Sequence, residues 1–331
     1  MKNEDKLVMS KKVNLASPKA GAKIIDVSDD FFAKCDRMLN DTDPIFIDDK
    51  YDDHGKWMDG WESRRKRVEG NDWAIIGLGG RCSIKDVIID TSHFTGNYPP
   101  AASLDFSSNH SYEAGSLDWH PLLEKQILKG DHVNEFQLLK NENVTYVRLN
   151  IFPDGGVARL RLFGDLIPFS QDLSKAIELS ALKNGGKIVG YNNAHYGNVN
   201  ALLSEGRGTT MGDGWETRRR RVPGNDFIII ELGTPGLISN VEIDTCHFKG
   251  NFPDRASIQT IDLNNEKDKM KAFEASNNWE LFLGEKKCKA DTIHKFEKND
   301  FLHEKIVSHI RLNIYPDGGV SRFRIFGQPV S

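Results

Sequence analysis

The feature that most constrains this chain is an internal duplication. Three blocks occur twice, in the same order, and the matching positions are 59–72 with 213–226, 89–99 with 243–253, and 147–164 with 310–327. The offset is 154 residues for the first two blocks and 163 for the third. Each repeat has the length of an ordinary domain. The chain therefore consists of two related units in tandem.

The domain boundaries follow from where the repeat begins and ends. Residues 1–11 are charged and aperiodic, which predicts a flexible tail. The first repeat is expected over 12–170 and the second over 171–331. Between the blocks, Asp172 to Lys183 has apolar residues at helical spacing and is followed by two glycines, so a helix is predicted there.

The remaining local patterns indicate β-structure. Short apolar runs such as residues 73–78 and 227–232 are bounded by turn-forming residues. Val147 to Phe152 alternates apolar and polar side chains and ends at Pro-Asp-Gly-Gly, a strong turn sequence. Many short strands in each unit of about 150 residues predict an all-β protein made of two β-sandwiches or jelly rolls.

Composition excludes several classes of protein. The 44 basic and 48 acidic residues give a net charge of −4, so no global field favours nucleic acid. No apolar run approaches the roughly 18 residues that a membrane span needs, and residues 1–10 lack the apolar stretch that is typical of a signal peptide. The four cysteines do not match between the repeats, which argues against disulfides or zinc and for reduced thiols. A cytoplasmic protein is expected.

A run of four cations lies in the middle of the first block in both repeats, at residues 64–67 and 218–221. If these residues form a strand, alternate side chains point to opposite faces. Arg65 and Arg67, or Arg219 and Arg221, could then clamp a carboxylate with the two-pronged geometry of the guanidinium. The alternative is a solvated edge strand whose charges prevent edge-to-edge pairing.

The second block carries the single pair of histidines that the duplication keeps in register. His93 follows Asp90 by three residues, and His247 follows Asp244 in the same way. A carboxylate beside an imidazole could orient a general base, or the two could supply part of a metal site. The alternative is a histidine that is hydrogen-bonded within a loop.

The third block places polar side chains before and within its turn. Arg148, Asn150 and Asp154 in the first repeat could converge with the second block at one end of a sandwich, where loops often carry binding groups. Their counterparts are Arg311, Asn313 and Asp317. The alternative for each aspartate is that it caps its own turn. Trp119 and Trp279, a further matched pair, are expected in the core.

The blocks WExRRxRVxGND, IDTxHFxGNxP and RLNI[FY]PDGGVxR resemble those of the allantoicase (allantoate amidinohydrolase) family, and the resemblance extends over nearly the whole chain. It implies a tandem repeat of two jelly-roll, galactose-binding-like β-sandwich domains. It also implies hydrolysis of allantoate to ureidoglycolate and urea, a step of purine and allantoin degradation. The alternative function is a non-enzymatic small-ligand or carbohydrate-binding β-sandwich.

Allantoate would need an arginine clamp, a base that delivers water and an acid that protonates the departing urea. Glu62 or Asp154, with Glu216 or Asp317 in the second repeat, are candidates for the acid, and Asn97 and Asn251 are candidates for contacts to the ureido groups. No organic cofactor is expected, a divalent metal remains open, and a homo-oligomer is possible. The sequence leaves open whether the repeats hold two sites or share one.

Overall fold

The computed structural model describes residues 6–109, 111–113, 115–139, 142–167 and 175–330. The chain divides into two compact units. The N-terminal unit comprises Lys12–Ile167, and the C-terminal unit comprises the residues after it together with the first eleven. Strand β1 (Val8–Met9) pairs with residues 190–191. The segment predicted as a flexible tail therefore contains a strand that is fixed by backbone hydrogen bonds.

The N-terminal unit is built from twelve strands within its described residues. They are β2 (Val13–Asn14), β3 (Lys23–Val27), β4 (Tyr51–Asp52), β5 (Gly55–Lys56), β6 (Trp61–Glu62), β7 (Asp72–Asp90), β8 (Ala101–Ser107), β9 (His120–Ile127), β10 (Val133–Gln137), β11 (Val144–Phe152), β12 (Gly156–Val157) and β13 (Arg159–Leu166). Two 3-10 helices occupy Pro18–Ala20 and Cys35–Leu39.

The long strand β7 belongs to both layers of the N-terminal sandwich. Its residues 72–77 pair with β3 and β11, and its residues 82–90 pair with β10 and β13. Beyond β11, β8 and β9 extend the first layer. All of these pairings are antiparallel, and the alternation along β7 buries Val87 and Ile89 completely while Ile88 stays half-buried. The two layers enclose the core between them.

The C-terminal unit repeats this plan. Its strands are β14 (Ile177–Glu178), β15 (Lys187–Tyr191), β16 (Trp215–Glu216), β17 (Asp226–Asp244), β18 (Arg255–Ile261), β19 (Glu280–Lys287), β20 (Ile293–Glu297), β21 (Ile306–Tyr315), β22 (Gly319–Val320) and β23 (Arg322–Pro329). Strand β17 pairs with β15 and β21 through its first half and with β20 and β23 through its second half.

Helical turns in the C-terminal unit are short. The α-helix α1 covers Lys269–Glu274, and 3-10 helices cover Leu182–Asn184, Val199–Leu203, Ser276–Asn278 and Lys298–Asp300. Helix α1 packs Phe273 against Trp279, which is buried as predicted. Trp119, its counterpart, is instead half-buried and stacks on an arginine of the sheet.

The helix predicted over Asp172–Lys183 is wrong for its described part, and residues 172–174 lie outside the described residues. The chain forms β14 and then a single 3-10 turn. Leu179 and Leu182 have helical spacing and are both buried, but β14 extends the sheet by pairing with β23. Gly185, with φ of +89°, ends the turn as expected.

All four cysteines are free and buried, in agreement with the interpretation as reduced thiols. Burial raises the pKa of the Cys82 thiol to about 12 and that of Cys288 to about 11. Among the described residues, no helix has the length and apolar character that crossing a membrane would require.

Candidate active site

The first and third repeated blocks contact each other at one rim of each sandwich. In the N-terminal unit, β6 pairs with β12, so that Trp61 lies opposite Val157 and Glu62 opposite Gly156. The indole of Trp61 is fully buried and its Nε1–H donates to the carbonyl of Asp29 at 2.8 Å. The C-terminal unit has the same pairing between β16 and β22.

The second block closes this rim from the other side. The amide of Gly156 donates to the carbonyl of Asn97 at 2.7 Å, and Gly319 donates to Asn251 at 2.8 Å. The Phe94 ring packs directly on Gly156, and Phe248 packs on Gly319. The three blocks thus form one structure in each unit, which we call the rim cluster: residues 59–72, 89–99 and 153–157, and residues 213–226, 243–253 and 316–320.

Replacing Gly156 with alanine should destabilise the N-terminal unit. A Cβ at this position would lie 2.0 Å from Phe94, and both residues are buried, so the ring or the turn must move. We expect the free energy of unfolding to fall by about 3 kcal/mol, measured by urea denaturation. Gly96→Ala is the matched control, because a Cβ there meets no atom within 4 Å. Equal midpoints for the two variants would contradict the packing argument.

A glutamate and an asparagine form the same pair in both rim clusters. The Asn97 amide donates from Nδ2 to Glu62 Oε1 at 2.7 Å, and Asn251 donates to Glu216 Oε1 in the same way. Burial raises the pKa of the Glu62 carboxyl, and the hydrogen bond from Asn97 offsets part of that rise. The raised pKa keeps the Glu62 carboxyl protonated to a higher pH than an ordinary glutamate, which favours a role as proton donor.

The cation run divides into bound and unbound side chains. Arg64 forms an ion pair with Asp29 at 2.6 Å, and Lys66 pairs with Asp72 at 2.7 Å. In the C-terminal unit, Arg220 pairs with Asp226 at 3.0 Å, and both side chains are buried. These contacts are structural.

The four predicted clamp residues are unbound. Arg65, Arg67, Arg219 and Arg221 are exposed, and no hydrogen bond or ion pair holds any of them within the described residues. The N-terminal unit therefore presents two such guanidinium groups. The C-terminal unit presents three, since Arg218 is also exposed and without such a bond among the described residues. These groups are available for an anion.

The aspartates of the Pro-Asp-Gly-Gly turns hold the cation run in place. Asp154 Oδ2 accepts the backbone N–H of Lys66 at 2.7 Å, and Asp317 Oδ2 accepts that of Arg220 at the same distance. Each caps the segment of the cation run, which is neither the predicted catalytic role nor the alternative of a cap within its own turn. Because each carboxylate is occupied in this way, Glu62 and Glu216 are the better candidates for the acid.

The predicted Asp–His pair has a different arrangement from the expected one. Asp90 Oδ1 accepts the N–H of Ser92 at 2.8 Å, while His93 Nε2 lies 3.2 Å from the carbonyl oxygen of Pro44. The hypothesis that the aspartate orients the imidazole is therefore wrong in geometry. The turn places the carboxylate on its own backbone, and a backbone carbonyl orients the ring.

The C-terminal unit repeats this arrangement and adds a charge. Asp244 Oδ1 accepts from the N–H of Cys246 at 2.9 Å, and His247 Nε2 lies 2.9 Å from the carbonyl oxygen of Gly208. Arg207 also pairs with Asp244, at 3.2 Å. In both units, the loop before the first block supplies the carbonyl that the histidine ring contacts. The two rim clusters differ because this loop also supplies Arg207 in the C-terminal unit.

The arginine and asparagine of the third block lie on the sheet and are already bound there. Arg148 and Asn150 both donate to Asp105 on β8, at 2.7 and 2.8 Å. In the C-terminal unit, Arg311 is buried and bonds to Asn313 and to Ser276. These four predicted substrate contacts are thus engaged in hydrogen bonds within the protein.

Sequence reasoning missed one pair of aspartates at the rim. Asp131 Oδ1 accepts the backbone N–H of His93 at 2.8 Å, and Asp291 Oδ1 accepts that of His247 at 3.0 Å. The available signal was weak: Lys-x-Asp occurs at 129–131 and again at 289–291. Within the described part of the chain, no three His, Cys, Asp or Glu side chains form a group that could hold a metal ion.

Comparison with known proteins agrees with this duplicated architecture. The family model described as the allantoicase repeat matches twice, over residues 13–167 and 177–330. This chain belongs to the allantoicase family. A probable allantoicase of Acinetobacter baumannii is 47% identical over 321 residues, which are 97% of this chain and 95% of that protein.

Two further relatives extend the comparison. A probable allantoicase of Burkholderia mallei is 47% identical over 320 residues and covers 95% of this chain and 94% of its own. The crystal structure of allantoicase from Saccharomyces cerevisiae has a TM-score of 0.79 and 32% identity, covering 95% of this chain and 92% of that chain. The predicted fold class, a tandem of two jelly-roll β-sandwiches, is confirmed.

Proposed function

We propose that this member of the allantoicase family is a hydrolase acting on a carbon–nitrogen bond, which converts allantoate to ureidoglycolate and urea. The observation that carries the proposal is that both family repeats are present and that each has a complete rim cluster. Each rim cluster combines unbound arginines, a Glu–Asn pair and a half-buried histidine. We therefore propose one site in each unit.

The residues of the rim cluster match the parts of the substrate. Allantoate has a carboxylate and two ureido groups on one carbon. The unbound guanidinium groups of Arg65 and Arg67 are suited to the carboxylate because they present parallel N–H donors. Asn97, exposed next to Glu62, can donate to or accept from a ureido group.

Hydrolysis requires two proton transfers, and the rim cluster has a group for each. His93 takes a proton from water, whose oxygen bonds to the central carbon as the bond from that carbon to a ureido nitrogen breaks. Glu62 gives its proton to the departing nitrogen, so that urea leaves neutral. The carbon retains the hydroxyl, the carboxylate and the second ureido group, which is ureidoglycolate. His247 and Glu216 have the same roles in the C-terminal unit.

The reaction needs no electron transfer, and we propose that it proceeds without an organic cofactor. The four buried thiols fit a reducing compartment, so we propose a cytoplasmic location. A homo-oligomer is a further proposal, which light scattering of the purified protein would test.

Urea release from allantoate by the purified protein tests the function. We expect stoichiometric urea and ureidoglycolate, and we expect the rate to be the same after dialysis against a chelator. Activity that returns only on adding a divalent metal would give metal a part in water activation. Binding of allantoate or of a sugar without urea release would support the alternative, a non-enzymatic ligand-binding sandwich.

Lysine in place of the unbound arginines should weaken substrate binding. We expect Arg67→Lys together with Arg221→Lys to raise KM about tenfold, because lysine keeps the charge and loses the paired donors. The value of kcat should change little. Arg64→Lys is the control, since Arg64 is already bound to Asp29. Steady-state kinetics that show an unchanged KM for the double variant, and for the matching variant of Arg65 and Arg219, would mean that these residues are solvent-exposed charges that do not contact the substrate.

A further inference from the structure

Four residues other than glycine have a positive φ in the described part of the chain. They are His93 at 70°, Asp131 at 47°, His247 at 66° and Asp291 at 48°. Side chains with a Cβ rarely adopt this conformation, and such residues often lie at functional sites. The four residues are two pairs, and the duplication relates one pair to the other.

Each pair is held by two reciprocal hydrogen bonds. Asp131 Oδ1 accepts the N–H of His93 at 2.8 Å, and the N–H of Asp131 donates to the carbonyl of Phe94 at 3.1 Å. In the C-terminal unit, Asp291 Oδ1 accepts the N–H of His247 at 3.0 Å, and the N–H of Asp291 donates to the carbonyl of Phe248 at 3.3 Å. The aspartate thus forms hydrogen bonds to the backbone on both sides of the histidine Cα, and we call this arrangement the clasp.

The clasp determines where the imidazole ring points, because the direction of Cβ depends on the backbone conformation. A carbonyl oxygen can only accept a hydrogen bond, so Nε2 must carry the proton in both histidines. Nε2–H of His93 donates to the carbonyl of Pro44, and Nε2–H of His247 donates to the carbonyl of Gly208. In the neutral ring, this leaves the lone pair on Nδ1. Nδ1 has no hydrogen-bond partner among the described residues in either unit.

We propose that Asp131 and Asp291 are positioning residues for the two histidines. Each aspartate stabilises the positive-φ backbone conformation of its histidine. In that conformation, the ring donates from Nε2 to the loop carbonyl, and Nδ1 is left to act as the base. The proposal rests on the proposed function, in which His93 and His247 take the proton from water. The aspartates contact the histidine backbone and act on the reaction only through the ring.

The test compares Asp131→Ala/Asp291→Ala with Asp131→Asn/Asp291→Asn. Alanine removes the acceptor and disfavours a positive φ, whereas asparagine keeps an acceptor oxygen and tolerates that φ. We expect alanine to lower kcat by about 10- to 100-fold with little change in KM, since misplacing a reacting group by about 1 Å can have such an effect. Asparagine should restore most of the rate. Asp262→Ala, which removes a similar acceptor from an exposed turn, is the control.

A second measurement does not depend on activity. Nitrogen NMR of the labelled imidazoles should show the Nε2–H tautomer for His93 and His247 in the wild type and in the asparagine variant. The alanine variant should show a mixture of tautomers. Thermal denaturation reports whether each variant remains folded.

The outcomes separate this proposal from the proposed function. Alanine variants that are folded, keep the wild-type tautomer and keep the wild-type kcat would overturn the positioning role while urea release still stands. A parallel loss of rate in the alanine and asparagine variants would also overturn it, because the acceptor would then be irrelevant. A wild-type protein that releases no urea would refute the function, and the NMR result would still decide whether the clasp holds the ring.

Discussion

Changing both histidines to asparagine is expected to lower kcat by about 10²- to 10⁴-fold, the range that a general base contributes. Asparagine is the chosen replacement because it tolerates the positive φ of His93 and His247, so the fold should persist. The side-chain amide cannot accept a proton from water near neutral pH. Steady-state urea release and a thermal denaturation curve check the two parts of this expectation.

The single variants show how the two units share the work. If each unit has its own site, His93→Asn and His247→Asn should each remove about half of the maximal rate and leave KM unchanged. If either single change were as damaging as the double, the units would act as one and our assignment of a site to each would be wrong. One silent and one inactive variant would restrict catalysis to a single unit.

The second large effect should come from the glutamates. We expect Glu62→Gln with Glu216→Gln to lower kcat about 10²- to 10³-fold, because glutamine has the same shape and no proton to give. Glu69→Gln, an exposed glutamate in the same block, is the control. If the double variant kept full activity, the departing urea would obtain its proton elsewhere.

The pH profile gives an independent check on Glu62. Burial raises the pKa of this carboxyl, so it stays protonated to a higher pH than an ordinary glutamate. With Glu216→Gln leaving only the N-terminal site, kcat should fall as the pH rises through that raised pKa. Asn97→Ala removes the hydrogen bond that lowers the pKa, and the fall should then move to a higher pH. A rate that rises through this region would make the carboxylate, and not the acid, the active form.

Much of the fold could be predicted because matching strands have the same pattern of apolar residues in both units. The alternation of β11 and the apolar runs within β7 and β17 have counterparts 154 to 163 residues away, and each supports the other's assignment. The helix prediction for Ile177 to Lys183 was wrong because the buried leucines of this region have helical spacing by coincidence. Pairing with β23 determined its conformation, and local sequence carries no information on that pairing.

The location of the candidate site was predicted more successfully than the contacts within it. The repeated blocks do meet, and Glu62 of the first block is hydrogen-bonded to Asn97 of the second. The Asp–His pair was misjudged because a spacing of three residues does not determine side-chain direction in a loop with positive φ. Asp131 was missed because its partner, His93, is 38 residues away in sequence.

The long strand shared by both layers has a consequence for how each unit opens. A sandwich made of two separate sheets can lose one sheet while the other remains, so its layers can exchange amide hydrogens at different rates. Here β7 and β17 each carry backbone hydrogen bonds of both layers on one continuous segment. Fraying of one layer therefore disturbs the other directly. Each unit should behave as a single cooperative block, with little room for a half-open state.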